Sequence, residues 1–125
     1  MTSKKLSIEN LTFQATKIDI SNHILTITLN RPEKKNALNN VMMNEINYAL
    51  AYAKQERAIR VVIIAAEGDV FCAGADLNRK QEESNVPRLE GSDDISLSIR
   101  HLYKPVICKI PVSYTHLRAH ETQYH

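Results

Sequence analysis

The 125-residue chain contains no tryptophan, only three glycines and only two cysteines. Cys72 and Cys108 both lie in apolar surroundings, which favours two small buried residues over a disulfide or a metal pair. No run approaches the ~20 apolar residues that a membrane-spanning helix needs. Met1 to Lys5 are not followed by the apolar core of a signal peptide. These absences predict a cytoplasmic protein without a membrane partner.

The charges are close to balanced, with a net charge of +2 and 24% charged residues. So small an excess gives no reason to expect a nucleic-acid partner. The length suits one domain with a modest core. His116 and His120 have the i, i+4 spacing of zinc ligands, but Glu121 does not lie between them as the zinc-protease pattern requires. No metal site is therefore expected.

The apolar run from Val61 to Ala66 is the first strong structural signal. It predicts a short strand buried on both faces, because a strand buried on one face would alternate with polar residues. Beyond it, Gly74 permits a positive φ or a close approach of backbone to a ligand, and Asp76 can cap a helix over about 77–83. Backbone N–H groups between a strand end and a helix start can stabilise negative charge that develops on an oxygen.

The other segments before this strand predict a hairpin and a helix. An imperfect alternation over 11–20 and a cleaner one over 24–29 flank a polar turn, as in a β-hairpin. Asn39 or Asn40 is expected to cap a helix that reaches about Gln55. Its core-facing positions are predicted to be Val41, Met42, Ile46, Ala49, Leu50 and Ala53.

The segments after the strand complete an α/β pattern in the order strand, strand, helix, strand, helix, helix, strand. Residues 78–94 are polar and predict a surface segment. A short helix is expected after Asp94, ending before Pro105, because the residue before a proline disfavours helix. Residues 106–110 then predict a last strand.

Four motifs, in order and spacing, resemble the enoyl-CoA hydratase/isomerase, or crotonase, family. They are NRPEKKNALN at 30–39, the apolar strand at 61–66, FCAGADL at 71–77 and KPVI at 104–107. The similarity covers about residues 11–110. It implies that residues 1–111 form the N-terminal part of a crotonase-like spiral of ββα units, with an acyl-CoA thioester as substrate and no separate cofactor. A homo-oligomer is implied for the full-length parent.

The resemblance also implies a site. Ala73 matches a backbone N–H of an oxyanion hole, which would stabilise the enolate-like charge on the thioester oxygen as water adds to the double bond. Lys35 is implied to meet a phosphate of CoA, where lysine acts as a point charge, and the Ala37 backbone to meet the adenine. The full set of implied substrate-binding residues is Lys35, Ala37, Ala73, Gly74, Ala75 and Asp76.

The end of the sequence departs from the family pattern. After the last strand, the family has a glycine-rich turn that supplies the second oxyanion donor, and two catalytic glutamates lie beyond it. This chain has Pro111 there, and residues 112–122 resemble a translated sequencing adapter, so 112–125 are expected to be a non-native tail. The resemblance thus implies a truncated enoyl-CoA hydratase, inactive alone. Another crotonase-fold acyl-CoA enzyme (isomerase, hydrolase or dehalogenase) and a non-catalytic acyl-CoA-binding module stay open as alternatives.

Overall fold

A computed structural model describes residues 5–76, 84–89 and 94–111. Their elements are β1 (Thr16–Ser21), β2 (Ile24–Leu29), a 3-10 turn (Pro32–Lys34), α1 (Asn40–Gln55), β3 (Val61–Ala66), α2 (Ile95–Arg100) and β4 (Val106–Cys108). The strands form one sheet in the order β1-β2-β3-β4. The mixed α/β prediction is confirmed. The helix predicted over 77–83 and the tail 112–125 lie outside the described residues.

The predicted hairpin of β1 and β2 is present. These strands pair antiparallel from Thr16 opposite Leu29 to Ser21 opposite Ile24. The two turn residues, Asn22 and His23, have φ angles of 52° and 67°. Such a left-handed pair matches the twist of the flanking strands, and asparagine tolerates that conformation better than most residues. The next two strand pairs, β2 with β3 and β3 with β4, are parallel.

The strand predicted to start at residue 11 begins only at Thr16, because a side chain takes its first backbone donors. The Gln14 and Ala15 N–H groups donate to the carboxylate of Glu45 over 2.7 and 3.0 Å. The Thr16 hydroxyl donates to the same carboxylate over 2.8 Å. These contacts fix the chain entry to β1 against α1.

α1 follows its predicted bounds and buries its predicted face. The Asn39 side chain accepts a hydrogen bond from the Met42 N–H over 2.8 Å and so caps the helix. All the predicted core positions of α1 are buried. They pack against the side chains of β2 and β3 that point to the same side, among them Leu25, Ile27 and Val62. This layer is the core of the described fold.

β3 has its predicted bounds, but the prediction that both of its faces are buried is wrong in the described part of the chain. Val62 and Ile64 are 0% and 6% exposed, whereas Ile63 and Ala65 are only half-buried. The reason is that α1 covers one face of the sheet and no described element covers the other. A cavity of about 400 Å³ lies open on that second face, beside Ile63 and Lys109.

The C-terminal segments bring three smaller corrections. β4 ends at Cys108 rather than residue 110. Cys108 is exposed and Cys72 is half-buried, so the expectation of two buried thiols is wrong, and both are free. Within the predicted surface segment, Val86 is buried, and its carbonyl accepts a hydrogen bond from the Asn44 amide over 2.7 Å.

Candidate functional site

Two loops lie side by side at one edge of the sheet. The β2 exit loop (residues 30–39) follows β2 and the β3 exit loop (residues 67–76) follows β3; since these strands are parallel neighbours, both loops leave from the same edge. They are joined by a short parallel bridge between Leu38 and Ala75. The Leu38 N–H donates to the Gly74 carbonyl over 2.8 Å, and the Asp76 N–H donates to the Leu38 carbonyl over 2.7 Å.

This bridge turns the Ala75 N–H away from the β2 exit loop. In extended backbone, successive N–H groups point to opposite sides, so when Asp76 faces Leu38 the Ala75 N–H faces outward. Ala75 is exposed, and no hydrogen bond from its N–H to any described residue is formed. Gly74 has a φ of 104°, a conformation in which a residue with a side chain would be strained, so the backbone turn before Ala75 favours glycine. The Ala75 N–H can therefore donate to a ligand oxygen.

Ala73 is placed differently. Its N–H donates to the Lys35 carbonyl over 3.0 Å. A ligand oxygen would have to displace that carbonyl to reach this N–H. The geometry therefore does not support Ala73 as the oxyanion donor that the resemblance implies, and an exposed, outward N–H lies two residues further on at Ala75.

The backbone of Ala37, which the resemblance implies to contact the adenine, also forms hydrogen bonds within the protein. The Ala37 N–H donates to the Lys34 carbonyl over 3.0 Å. Its own carbonyl accepts a hydrogen bond from the Arg31 guanidinium. Lys35, by contrast, has an exposed side chain on backbone with a φ of 52°, so its ammonium is open to an anionic group. The phosphate contact of Lys35 stays a prediction.

Asn36 holds the two loops together, and sequence reasoning gave it no role. It is fully buried, and its amide donates to the Glu67 and Val70 carbonyls over 2.8 and 2.7 Å. Its side-chain oxygen accepts from the Arg31 N–H over 2.7 Å. Asn36 has a φ of 56°, in the left-handed region that asparagine tolerates in turns. The available signal in the sequence was therefore an asparagine within a polar loop.

Arg31 and Asp76 form an ion pair between the same two loops. Their side chains approach to 3.1 Å and are only 14% and 17% exposed. The resemblance implies that Asp76 binds substrate, but in the structure its carboxylate pairs with Arg31. The sequence gave no indication of this role for Arg31, because its partner lies 45 residues away.

The sequence pattern of the enoyl-CoA hydratase/isomerase family matches residues 19–111. The chain belongs to that family. Among its relatives, the 1,2-epoxyphenylacetyl-CoA isomerase of Escherichia coli is 30% identical over 70% of this chain and 32% of its own length. The trans-2-decenoyl-[acyl-carrier-protein] isomerase of Streptococcus mutans is 33% identical over 76% of this chain and 39% of its own.

Solved structures of family members agree with this membership. An enoyl-CoA hydratase from Mycobacterium marinum superposes with a TM-score of 0.65 and 29% identity, over 78% of this chain and 48% of that one. A probable enoyl-CoA hydratase from Mycobacterium smegmatis gives a TM-score of 0.63 and 30% identity over the same share of this chain. The chain thus spans from 32% to 48% of the length of these four family members.

The described residues provide neither a cluster of metal ligands nor a membrane-spanning helix. No group of three or more histidine, cysteine, aspartate or glutamate side chains there is arranged to hold a metal ion. Across the same residues, no helix has both the length and the apolar character needed to cross a membrane. The features that remain for this family member are an outward N–H at Ala75, an exposed lysine at Lys35 and the two loops that carry them.

Proposed function

We propose that this chain is the N-terminal part of an enoyl-CoA hydratase and that the Ala75 N–H holds the thioester oxygen of the substrate. The outward Ala75 N–H, which donates to no described residue, carries this proposal. Family membership supports an acyl-CoA substrate, and the exposed Lys35 lies in the loop bonded to the β3 exit loop, where it can meet a phosphate of CoA.

The chemistry follows from where charge develops. When water adds to the double bond of a 2-enoyl thioester, electron density moves onto the thioester oxygen. A fixed N–H aimed at that oxygen stabilises the transition state more than the ground state, and removing one such donor costs roughly 10²–10³ in rate in well-studied hydrolases. The Ala75 N–H is held by backbone on both sides, so it needs little reorganisation to play this part.

Residues 1–125 alone are expected to bind acyl-CoA weakly without hydrating it. The resemblance places the second oxyanion donor and both catalytic glutamates beyond the last motif that this chain shares with the family. Asp76 does not replace them, because its carboxylate is engaged by Arg31. The compartment and the oligomeric state of the full-length protein stay predictions: cytoplasmic and homo-oligomeric.

An isomerase is the second candidate, because two of the matched relatives are named as isomerases. Moving a double bond next to a thioester also places charge on the thioester oxygen, so the same N–H would serve both reactions. Residues outside this chain would then select between water addition and proton transfer.

Product analysis by mass spectrometry tests the proposal. Full-length protein incubated with crotonyl-CoA should give a product heavier by one water, and Ala75→Pro should abolish most of this activity because proline has no N–H. Ala75→Gly keeps the N–H and should retain far more activity. The two isomers 3-butenoyl-CoA and crotonyl-CoA have the same mass, so their interconversion is followed by the ultraviolet absorbance of the conjugated thioester. Conversion of 3-butenoyl-CoA to crotonyl-CoA without hydration would establish the isomerase instead. Hydration by residues 1–125 alone would contradict the proposal.

A further inference from the structure

We infer that Arg31 is a positioning residue that sets the direction of the Ala75 N–H; this rests on the proposed function. The guanidinium has two ends with different partners. One nitrogen donates to the Ala37 carbonyl in the β2 exit loop, and the other pairs with Asp76 in the β3 exit loop at 3.1 Å. Arg31 therefore spans both loops that form the candidate site.

These two contacts flank the bridge that orients the N–H. Ala37 is the neighbour of Leu38, and Asp76 is the neighbour of Ala75. Arg31 thus holds one residue on each side of the Leu38–Ala75 pair. A planar guanidinium presents several donors at fixed angles, whereas an ammonium is a compact point charge without that fixed geometry. Arg31 therefore constrains the relative direction of the two loops more closely than a lysine would.

Burial distinguishes this pair from an ordinary surface ion pair. Arg31 and Asp76 are 14% and 17% exposed, whereas Lys17 and Glu67 form a pair of nearly the same length, 3.2 Å, with side chains 60% and 46% exposed. Water screens the second pair, so its loss should matter little. Lys17→Gln is therefore a matched control.

The test compares two ligands that differ only in the presence of the thioester oxygen. Butyryl-CoA has the thioester carbonyl oxygen, and its thioether analogue S-butyl-CoA lacks it. One hydrogen bond to that oxygen should make the protein bind butyryl-CoA about five-fold tighter than S-butyl-CoA. The ratio of the two dissociation constants, measured by calorimetry, reports the N–H alignment and not overall stability.

Arg31→Lys and Asp76→Asn should each bring this ratio towards one, and Arg31→Lys should leave the affinity for S-butyl-CoA nearly unchanged. Lys17→Gln should keep the wild-type ratio. A wild-type ratio of one would refute the donor role of Ala75 and with it the proposed function. A wild-type ratio of about five that survives in Arg31→Lys would overturn only the positioning role.

Folding is checked by circular dichroism. If Arg31→Lys does not fold, Asp76→Asn decides, since it keeps the shape of the side chain and removes only the charge. If both variants unfold while Lys17→Gln remains folded, the pair holds the fold as a whole, and the inference is overturned.

Discussion

Glu45 shows at the scale of a single residue how a buried charge can be accommodated. Its carboxylate is fully buried in α1, and it accepts hydrogen bonds from the Gln14 and Ala15 N–H groups and the Thr16 hydroxyl. A buried carboxylate is costly unless donors satisfy it, and these three do so. Glu45 therefore fixes the entry to β1 against α1.

Replacing Glu45 with glutamine should lower the free energy of unfolding by about 2–3 kcal/mol, because the new NH₂ group would face a donor and leave it unpaired. Urea unfolding followed by circular dichroism measures the change. Glu33→Gln is the control, since Glu33 is exposed and its replacement should cost less than about 0.5 kcal/mol. Equal losses in the two variants would contradict this account of Glu45.

The outward direction of the Ala75 N–H could not be predicted from sequence at this scale. The FCAGADL motif marks the β3 exit loop, but it does not tell which of its backbone N–H groups face away from the neighbouring loop. The choice depends on the facing loop: the Lys35 carbonyl occupies the Ala73 N–H, and the Leu38 bridge leaves the Ala75 N–H outward. Pairing between distant loops leaves no local pattern.

At the scale of elements, the C-terminal end of α1 likewise depends on a residue that is distant in sequence. Lys104, just before β4, donates through its ammonium to the Ala53 and Glu56 carbonyls at the C-terminal end of α1. A cation there satisfies carbonyls that the helix leaves unpaired and complements its dipole. Desolvation by burial lowers the pKa of Lys104, with a smaller opposing effect from Glu56.

Lys104→Met should destabilise the protein at neutral pH by about 1–2 kcal/mol through loss of these contacts. Exposed Lys109→Met is the control and should have little effect. Because folding lowers the pKa of Lys104, the unfolded chain binds its proton more tightly. The stability difference between wild type and Lys104→Met should therefore grow as pH rises towards 10.5, the ordinary lysine value. A shrinking difference in urea unfolding would contradict this sign.

Elements with a local signal were predicted well. The cap at Asn39 and the apolar stripe of α1 both lie within one continuous segment, and the structure has them where the sequence placed them. The start of β1 was predicted too early, because the donors of Gln14 and Ala15 go to Glu45, about 30 residues away. Periodicity does not report such long-range competition.

At the scale of the whole molecule, the described sheet has one covered face. The apolar run of β3 predicts burial on both faces, as in parallel sheets generally. In the described residues only the α1 side is covered, and Ile63 on the other side is half-buried. An apolar strand is compatible with burial on both faces, but its sequence does not show whether a second layer covers it. The number of layers depends on the rest of the fold.

Neighbouring isoleucines of β3 test this asymmetry. Ile64→Ala should cost about 3 kcal/mol, because Ile64 is 6% exposed and its loss leaves a cavity against α1. Ile63→Ala should cost no more than about 1 kcal/mol, because this side chain already borders an open cavity. Urea unfolding compares the two. A larger loss for Ile63→Ala would show that a further layer covers the second face in solution.

We propose that the Ala75 N–H, and not the Ala73 N–H, receives the thioester oxygen. The most direct measurement is a proton–nitrogen NMR spectrum of the ¹⁵N-labelled protein titrated with butyryl-CoA. The Ala75 amide proton should move downfield on binding, while the Ala73 amide, already bonded to the Lys35 carbonyl, should stay nearly fixed. A downfield shift at Ala73 with Ala75 unmoved at saturation would contradict the account.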